Sequence, residues 1–377
     1  MDICIDTRKL KPGQIFIPIK GPNFDGHDFI EDAIKKGAQI LDVDLESYAK
    51  KYRKKLKCHV IAITGSAGKT TAKDMLYFIL SQKFNVIRTE ENENNEIGVP
   101  LTLLKADSTT DILIIEMGMR QRGEIAHLTR IARPTHTVIT SIGNAHIENL
   151  KTQRNIALAK SEIFQHPTKD ERKNRYAFIN FNTPYYDVLK TRAQDHGFKL
   201  LPFKGSTKID QTLNLCYSVG QHFGLTESEI EAGLKQYQPS KHRMAIYDLK
   251  NITIIDDCYN ANPDGVIYAM QHIKRRKGRK MLVLGDMREL GDKSKELHQS
   301  LIPEAIENEI SCIFTLGPQS QHMQSEEISV MNYLDRDTLH KELLSEIKQG
   351  DVILIKGSRG MKMEETLAFL MEKFKNE

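Results

Sequence analysis

Residues Val60 to Thr71 read VIAITGSAGKTT: an apolar run, a glycine-rich turn, a Lys-Thr pair and then helix-forming residues. Gly65 and Gly68 can take backbone angles that let successive N–H groups along Thr64, Ser66, Ala67 and Thr71 converge on phosphate oxygens. Lys69 supplies a point charge for those oxygens, and the Thr70 hydroxyl can ligate Mg²⁺. The helix that follows presents its positive end to the same anion. The turn is two residues tighter than the common G-x-x-x-x-G-K-[ST] spacing. A strand before it and a helix after it nevertheless supply the context that a chance Gly-Lys-Thr lacks, so the segment predicts a nucleoside triphosphate site.

Further polar groups close apolar runs downstream. Glu116 ends DILIIE, where a carboxylate can hold Mg²⁺ beside a phosphate loop or cap a helix. His146, in SIGNAH, reads as a metal ligand or as a satisfied loop histidine. Lys160, in ALAKSEIF, reads by itself as a surface lysine on a helix. Asn94 and Asn95, in NENNEIG, suit side-chain-to-backbone bonds in a turn, or the grip on a polar substrate. IIDDCYNANP sets Asp257, Asn260 and Asn262 past another apolar run, and Asn262-Pro263 is a helix start. Lys356, Ser358 and Arg359, with Arg243 near the start of the last third, offer cations and a hydroxyl for carboxylate or phosphate.

Strands that end at these groups must position them. Residues 15–19 read as a strand and 29–36 as a helix stopped by Gly37, within a small α/β piece over residues 1–56. From 57 to 239 strands alternate with helices. The phosphate-loop strand leads into a helix over 72–82 with Met75, Phe78 and Ile79 on one stripe, and strands follow at 111–116 and 137–142. That alternation implies a mainly parallel sheet covered on both faces. After Pro239-Ser240-Lys241-His242 it restarts, with strands at 253–257, 281–285, 312–316 and 352–356, and residues 240–377 read as a second doubly wound, Rossmann-like unit. The fold class is thus α/β, in two or three domains.

The chain has 377 residues, 40% apolar and 28% charged, as in a globular protein, with 54 basic and 50 acidic residues and a net charge of +4. That balance gives no argument for nucleic acid, and the basic run at 50–57 reads as a solvated helix end or linker. Five scattered cysteines without a C-x-x-C pair fit a reducing compartment. No stretch approaches the roughly 18 apolar residues of a membrane span, and the start is not that of a signal peptide. A cytoplasmic monomer acting on small molecules is expected.

Taken in order, the segments carry a resemblance. DTR at Asp6 to Arg8 with KPG and DGH, then TGSAGKTT, NENNEIGVPLTLL, IIEMGMRQRGEI, IGNAHIENL, IALAKSEIF, IIDDCYNANPDG, VLGDMRELG and GDVILIKGSRGMKME resemble the Mur ligases. Within them they are most similar to the type that adds D-alanyl-D-alanine to a muramoyl tripeptide. The match spans the chain apart from about 181–238. It implies the three-domain fold: an amino-terminal domain for a nucleotide sugar, a central P-loop ATPase domain and a carboxy-terminal ligase domain. It implies ATP-dependent amide formation through an acyl phosphate, in peptidoglycan synthesis. It also implies two Mg²⁺ ions, one near Thr70 and Glu116 and one near His146 and Lys160, with Lys160 N-carboxylated, which reverses the plain readings of those two residues. Lys69, His146 and Lys160 would then act in catalysis, Arg243, Asp257 and Asn260 would meet the nucleotide, and Asn94, Asn95, Asn262, Lys356, Ser358 and Arg359 the substrates.

The chain departs from that family in a shorter amino-terminal domain and a shortened central segment after Asn182. The usual His-x-x-x-Asn helix start aligns near residues 208–212 without either residue, and Asn214 lies close by. An alternative reading keeps the chemistry in a shortened Mur-type ligase that joins a different carboxylate and amine.

Overall fold

Short β-branched and aliphatic runs build three separate sheets in the computed structural model, which describes residues 2–21, 23–165, 174–205, 207–249 and 251–375. The first is small and parallel, in the order β1 (Ile3–Cys4), β2 (Ile15–Phe16) and β3 (Gln39–Ile40). The strand expected over 15–19 ends at Phe16. Pro18, which has no N–H to give a ladder, interrupts it. The helix expected over 29–36 is a 3-10 turn, Gly26–Phe29, running into the helix Ile30–Lys35. Gly37, at φ +80°, stops it.

The central sheet runs β5 (Val86–Arg88), β6 (Ile112–Glu116), β4 (His59–Thr64), β7 (His136–Ile139), β8 (Tyr176–Asn180), β9 (Lys199–Phe203), with every pair parallel. β4 is central, buried from Val60 to Thr64, and lies between β6 and β7. Its carboxyl end therefore opens into a crevice flanked by the ends of both neighbours. One face carries the helices Lys69–Leu80, Lys208–His222 and Glu227–Gln236, which pack on one another. The other carries Gly98–Lys105 and Glu124–Ala132, joined by Leu45–Arg53 from the amino-terminal segment.

Two expectations need correction here. The helix after the phosphate loop begins at Lys69, because Gly68 at φ +78° is its N-cap and the turn is part of the helix start. Its buried face is Ala72, Leu76, Ile79 and Leu80, with Met75 and Phe78 only partly covered. The basic run at 50–57 is not solvated throughout. Arg53 is 1% exposed and donates to three carbonyls, of Leu56 (3.0 Å), Ala132 (2.7 Å) and Arg133 (3.1 Å). It thereby clamps the helix Leu45–Arg53 to the end of the helix Glu124–Ala132.

The third sheet runs β10 (Ala245–Asp248), β11 (Thr253–Asp257), β15 (Val352–Lys356), β12 (Lys280–Gly285), β13 (Ile310–Leu316), β14 (Ser329–Tyr333). Only β10 is antiparallel. The carboxyl ends of β11, β12 and β15 face the central sheet's crevice, as the contacts below establish.

Candidate active site

The turn after β4 is held by the loop after β7. Ser66 and Ala67 N–H groups donate to Ser141 O and Oγ, each at 3.0 Å, and Gly143 N donates to Ser66 Oγ at 2.9 Å. Thr140 Oγ1 donates to Ala67 O at 2.6 Å. That bracing explains why β7 stops at Ile139, short of the expected 142. It also dictates Gly65, since a Cβ there would lie 1.8 Å from Thr140 Oγ1. Lys69 folds back to Gly65 O at 2.9 Å, and burial lowers its proton affinity against the pull of Glu116.

A cavity of about 860 Å³ opens over this turn. It brings together Ser66, Ala67, Gly68, Lys69, Thr70, Thr71, Asn94, Asn95, Glu116, His146, Lys160, Arg243, Asp257, Asn260, Asn262 and Lys356, which lie up to 290 positions apart in the chain. Thr64 and Gly65 lie beneath it, with Thr64 Oγ1 bonded to Met117 O.

Glu116 ends β6 and is 2% exposed. Its Oε1 accepts from Asn94 Nδ2 at 2.9 Å, whereas the buried Oε2 has no hydrogen-bond partner among the described residues. An orphaned buried carboxylate oxygen beside a phosphate cradle fits a divalent cation. Among the described residues no three His, Cys, Asp or Glu side chains converge on one point. That suits Mg²⁺, which takes one or two protein groups and completes its shell with phosphate oxygens and water.

Lys160, at the end of the helix Gln153–Lys160, is 1% exposed. Burial, reinforced by the charge of Lys69, pushes it well below the ordinary lysine range, which favours the neutral amine. His146 N-caps a four-residue helix at φ +65°, and its Nδ1 lies 2.6 Å from Glu289 Oε2. Burial lowers its proton affinity, partly offset by the bond to Glu289. Both shifts disfavour a cationic side chain at this corner of the cavity.

The carboxy-terminal domain closes the far wall. Asn262 Nδ2 donates to Ser66 O at 3.2 Å, and Asp264 Oδ2 accepts from Asn144 N at 3.0 Å. Arg243 lies 3.9 Å above the Tyr259 ring. Lys356 is turned inward, donating to Asp257 and to Asn260 O. Asp257 thus already has a countercharge. Asn95 spends its carbonyl on Ile97 and Gly98 N–H groups, the turn role that its surroundings allowed.

Ser358 and Arg359 do not line the cavity. Ser358 bonds to Ala261 O and Arg288 N, bracing neighbouring strand ends, and Arg359 pairs with Glu364 at 2.9 Å on the surface. The cavity does include groups the sequence reading passed over: Arg120, Arg122, Tyr259 and Glu289. The first two sit in MGMRQRGEI and Glu289 in GDMRELG, segments whose placement after strands was the available signal. Asp264, two residues past Asn262, was missed as well. A second cavity, about 700 Å³, lies at the ends of β12 and β13, between Asp286, Arg288, Gln319, Arg336 and Lys362.

Comparison with known proteins follows the same plan. Residues 63–243 match the Mur ligase middle domain, 242–359 the Mur ligase glutamate ligase domain, and 2–91 the Mur ligase family catalytic domain. The UDP-N-acetylmuramoyl-tripeptide--D-alanyl-D-alanine ligase of Bacillus subtilis is 32% identical, with 98% of this chain and 93% of that protein covered. The Escherichia coli protein of the same name is 30% identical over the same shares. The crystal structure of MurF ligase from Thermotoga maritima in complex with ADP superposes with a TM-score of 0.83 at 26% identity, covering 99% of this chain and 98% of that one. A MurF structure from Acinetobacter baumannii gives 0.86 at 25% identity, covering 98% and 93%.

Proposed function

The chain belongs to the Mur ligase family, and from that premise we propose that it joins D-alanyl-D-alanine to a UDP-N-acetylmuramoyl tripeptide at the expense of ATP. The observation that carries the reading is the meeting of Lys69, Glu116, His146 and Lys160 around one cavity roofed by a second domain. The coverage of 93% of the Bacillus subtilis protein favours this substrate pair over the alternative of a shortened ligase for another carboxylate and amine.

Amide formation needs a better leaving group than oxide. A substrate carboxylate oxygen attacks the γ-phosphorus of ATP, the bond to the β,γ-bridging oxygen breaks, and ADP leaves. The amine then attacks the acyl carbon, loses a proton, and phosphate departs carrying the former carboxylate oxygen. Lys69 and the start of the helix Lys69–Leu80 would hold the triphosphate and offset charge as the two anions approach. The Ser66 and Ala67 N–H groups, expected on phosphate, are instead given to Ser141. Thr70 and Glu116 would hold one Mg²⁺, and His146 with Lys160 a second; the ions supply charge neutralisation at the phosphates. Unmodified Lys160 is no ligand. As a neutral amine it can add to CO₂ and lose a proton, giving an N-carboxylate that is one. Arg243 and Tyr259 would flank the nucleotide, and the docked domain excludes water from the acyl phosphate.

Phosphate release is the test. It should require both UDP-N-acetylmuramoyl tripeptide and D-alanyl-D-alanine, and folded protein that releases none with the pair would contradict the reading.

A further inference from the structure

Two residues of the cavity wall, one from each large domain, hold a backbone conformation that side chains disfavour, and their side chains meet. His146 has φ +65° and Glu289 φ +62°. Left-handed geometry at bulky residues persists only where the surroundings over-determine it, and it gathers at functional sites. Here the surroundings are explicit. Glu148 N donates to Glu289 O at 3.3 Å, and Gly291, itself at φ +55°, brings a backbone against the Glu148 side chain where a Cβ would find 3.1 Å. The two segments are thus fixed to each other across the domain boundary, and the side-chain contact between Nδ1 and Oε2 closes to 2.6 Å.

The chemistry of that contact is one-directional. A carboxylate accepts only, so the shared proton belongs to Nδ1, and a neutral ring in that state has its lone pair on Nε2. Glu289 is 45% exposed on its side chain, so as an ion pair it contributes little to stability. Orienting the ring is the effect that remains. The other charged groups facing the pair are Lys160 and Lys69 on the His146 side and Arg120 on the Glu289 side.

We propose that Glu289 is a positioning residue: on docking of the carboxy-terminal domain it fixes the His146 ring with hydrogen on Nδ1 and the free lone pair on Nε2. Closure of the domain and completion of the His146–Lys160 corner of the site are then one event. The use to which Nε2 is put rests on the ligase reading above; the orientation itself does not.

The test uses the full-length, metal-free protein labelled with ¹⁵N-histidine, with the His146 signals assigned by their loss in His146→Gln. Wild type should show the Nδ1–H tautomer. Glu289→Gln should keep it, since a carboxamide oxygen still accepts, whereas Glu289→Ala should lose it to a mixture. In steady-state assays Glu289→Ala should lower kcat about 10–100-fold while the KM for ATP moves far less, and Glu289→Gln should retain most of the wild-type kcat. An unchanged tautomer in Glu289→Ala would overturn the proposal. So would Glu289→Gln as damaging as Glu289→Ala, which would make charge rather than orientation the operative property. If wild type turns over no tripeptide, the ligase reading falls, and the tautomer measurement still decides the orientation.

Discussion

Lys160 takes up CO₂ only as the neutral amine, the form that its burial beside Lys69 favours. Lys160→Ala should be inactive, with partial rescue by formate, acetate or another small carboxylate that occupies the vacated space; full activity of the alanine variant would remove the residue from the reaction. Lys69→Ala should lower turnover by about 10²–10³-fold, the usual loss when one charge-stabilising donor is deleted, as read by ADP release. Residues of this kind were legible unevenly. Lys69, Thr70 and Glu116 could be read because local spacing places them at strand ends. Lys160 could not, because its burial is a product of tertiary packing that helix patterning does not show, and only resemblance pointed to it. Arg359 shows the converse: a cation near the site in sequence is paired with Glu364 outside the cavity.

At the scale of elements, the starts of β4 and β7 carry His59 and His136, and the helix Lys208–His222 ends on a third ring. His136 is 2% exposed, with Nδ1 2.8 Å from Thr135 Oγ1 and Nε2 3.1 Å from His222 Nε2. Burial pushes its pKa down to about 3, with His59 and His222 adding repulsion, and burial lowers both of those as well. The folded state refuses a proton that the unfolded chain accepts below about 6.5, so stability is lost as pH falls from there toward 3. Between pH 7 and pH 5, His136 alone should account for about 2 kcal/mol of lost stability. Urea unfolding of His136→Gln should show a shallower decline by that amount; parallel curves would contradict the assignment. Arg53→Ala leaves three carbonyls unpaired at a helix junction and should destabilise by about 2–4 kcal/mol in the same assay, whereas a loss under about 0.5 kcal/mol, typical of a surface change, would mean the clamp is idle. Periodicity located these elements but not their partners. It missed that Arg53 is buried, because helix patterning cannot foresee the carbonyls of a helix some eighty residues on. It shifted the stripe on the helix Lys69–Leu80, whose cover by two further helices is a tertiary fact.

In the whole molecule, the alternation of strands and helices was enough to read two parallel-sheet units and a smaller one, since buried parallel strands are continuous apolar runs. Their mutual placement was not readable, and it is the placement that makes the site. Asp264 reaches so close to the loop after β7 that a Cβ on Gly143 would lie 1.7 Å from its carboxylate. Gly143→Ala should therefore push the Asp264 carboxylate off Asn144 N and loosen the contact between the domains. Small-angle scattering should report a larger radius of gyration, with turnover reduced about 10–100-fold and ATP still bound by the turn after β4; a scattering curve identical to wild type with full turnover would show that the contact does not govern closure. The central claim is that this closed site passes the γ-phosphoryl group to a carboxylate. It is tested most directly with tripeptide substrate carrying ¹⁸O in its terminal carboxylate and a mass spectrum of the phosphate released with D-alanyl-D-alanine. The account predicts one ¹⁸O from the carboxylate in each phosphate; phosphate free of label, with the amide still formed, would contradict it.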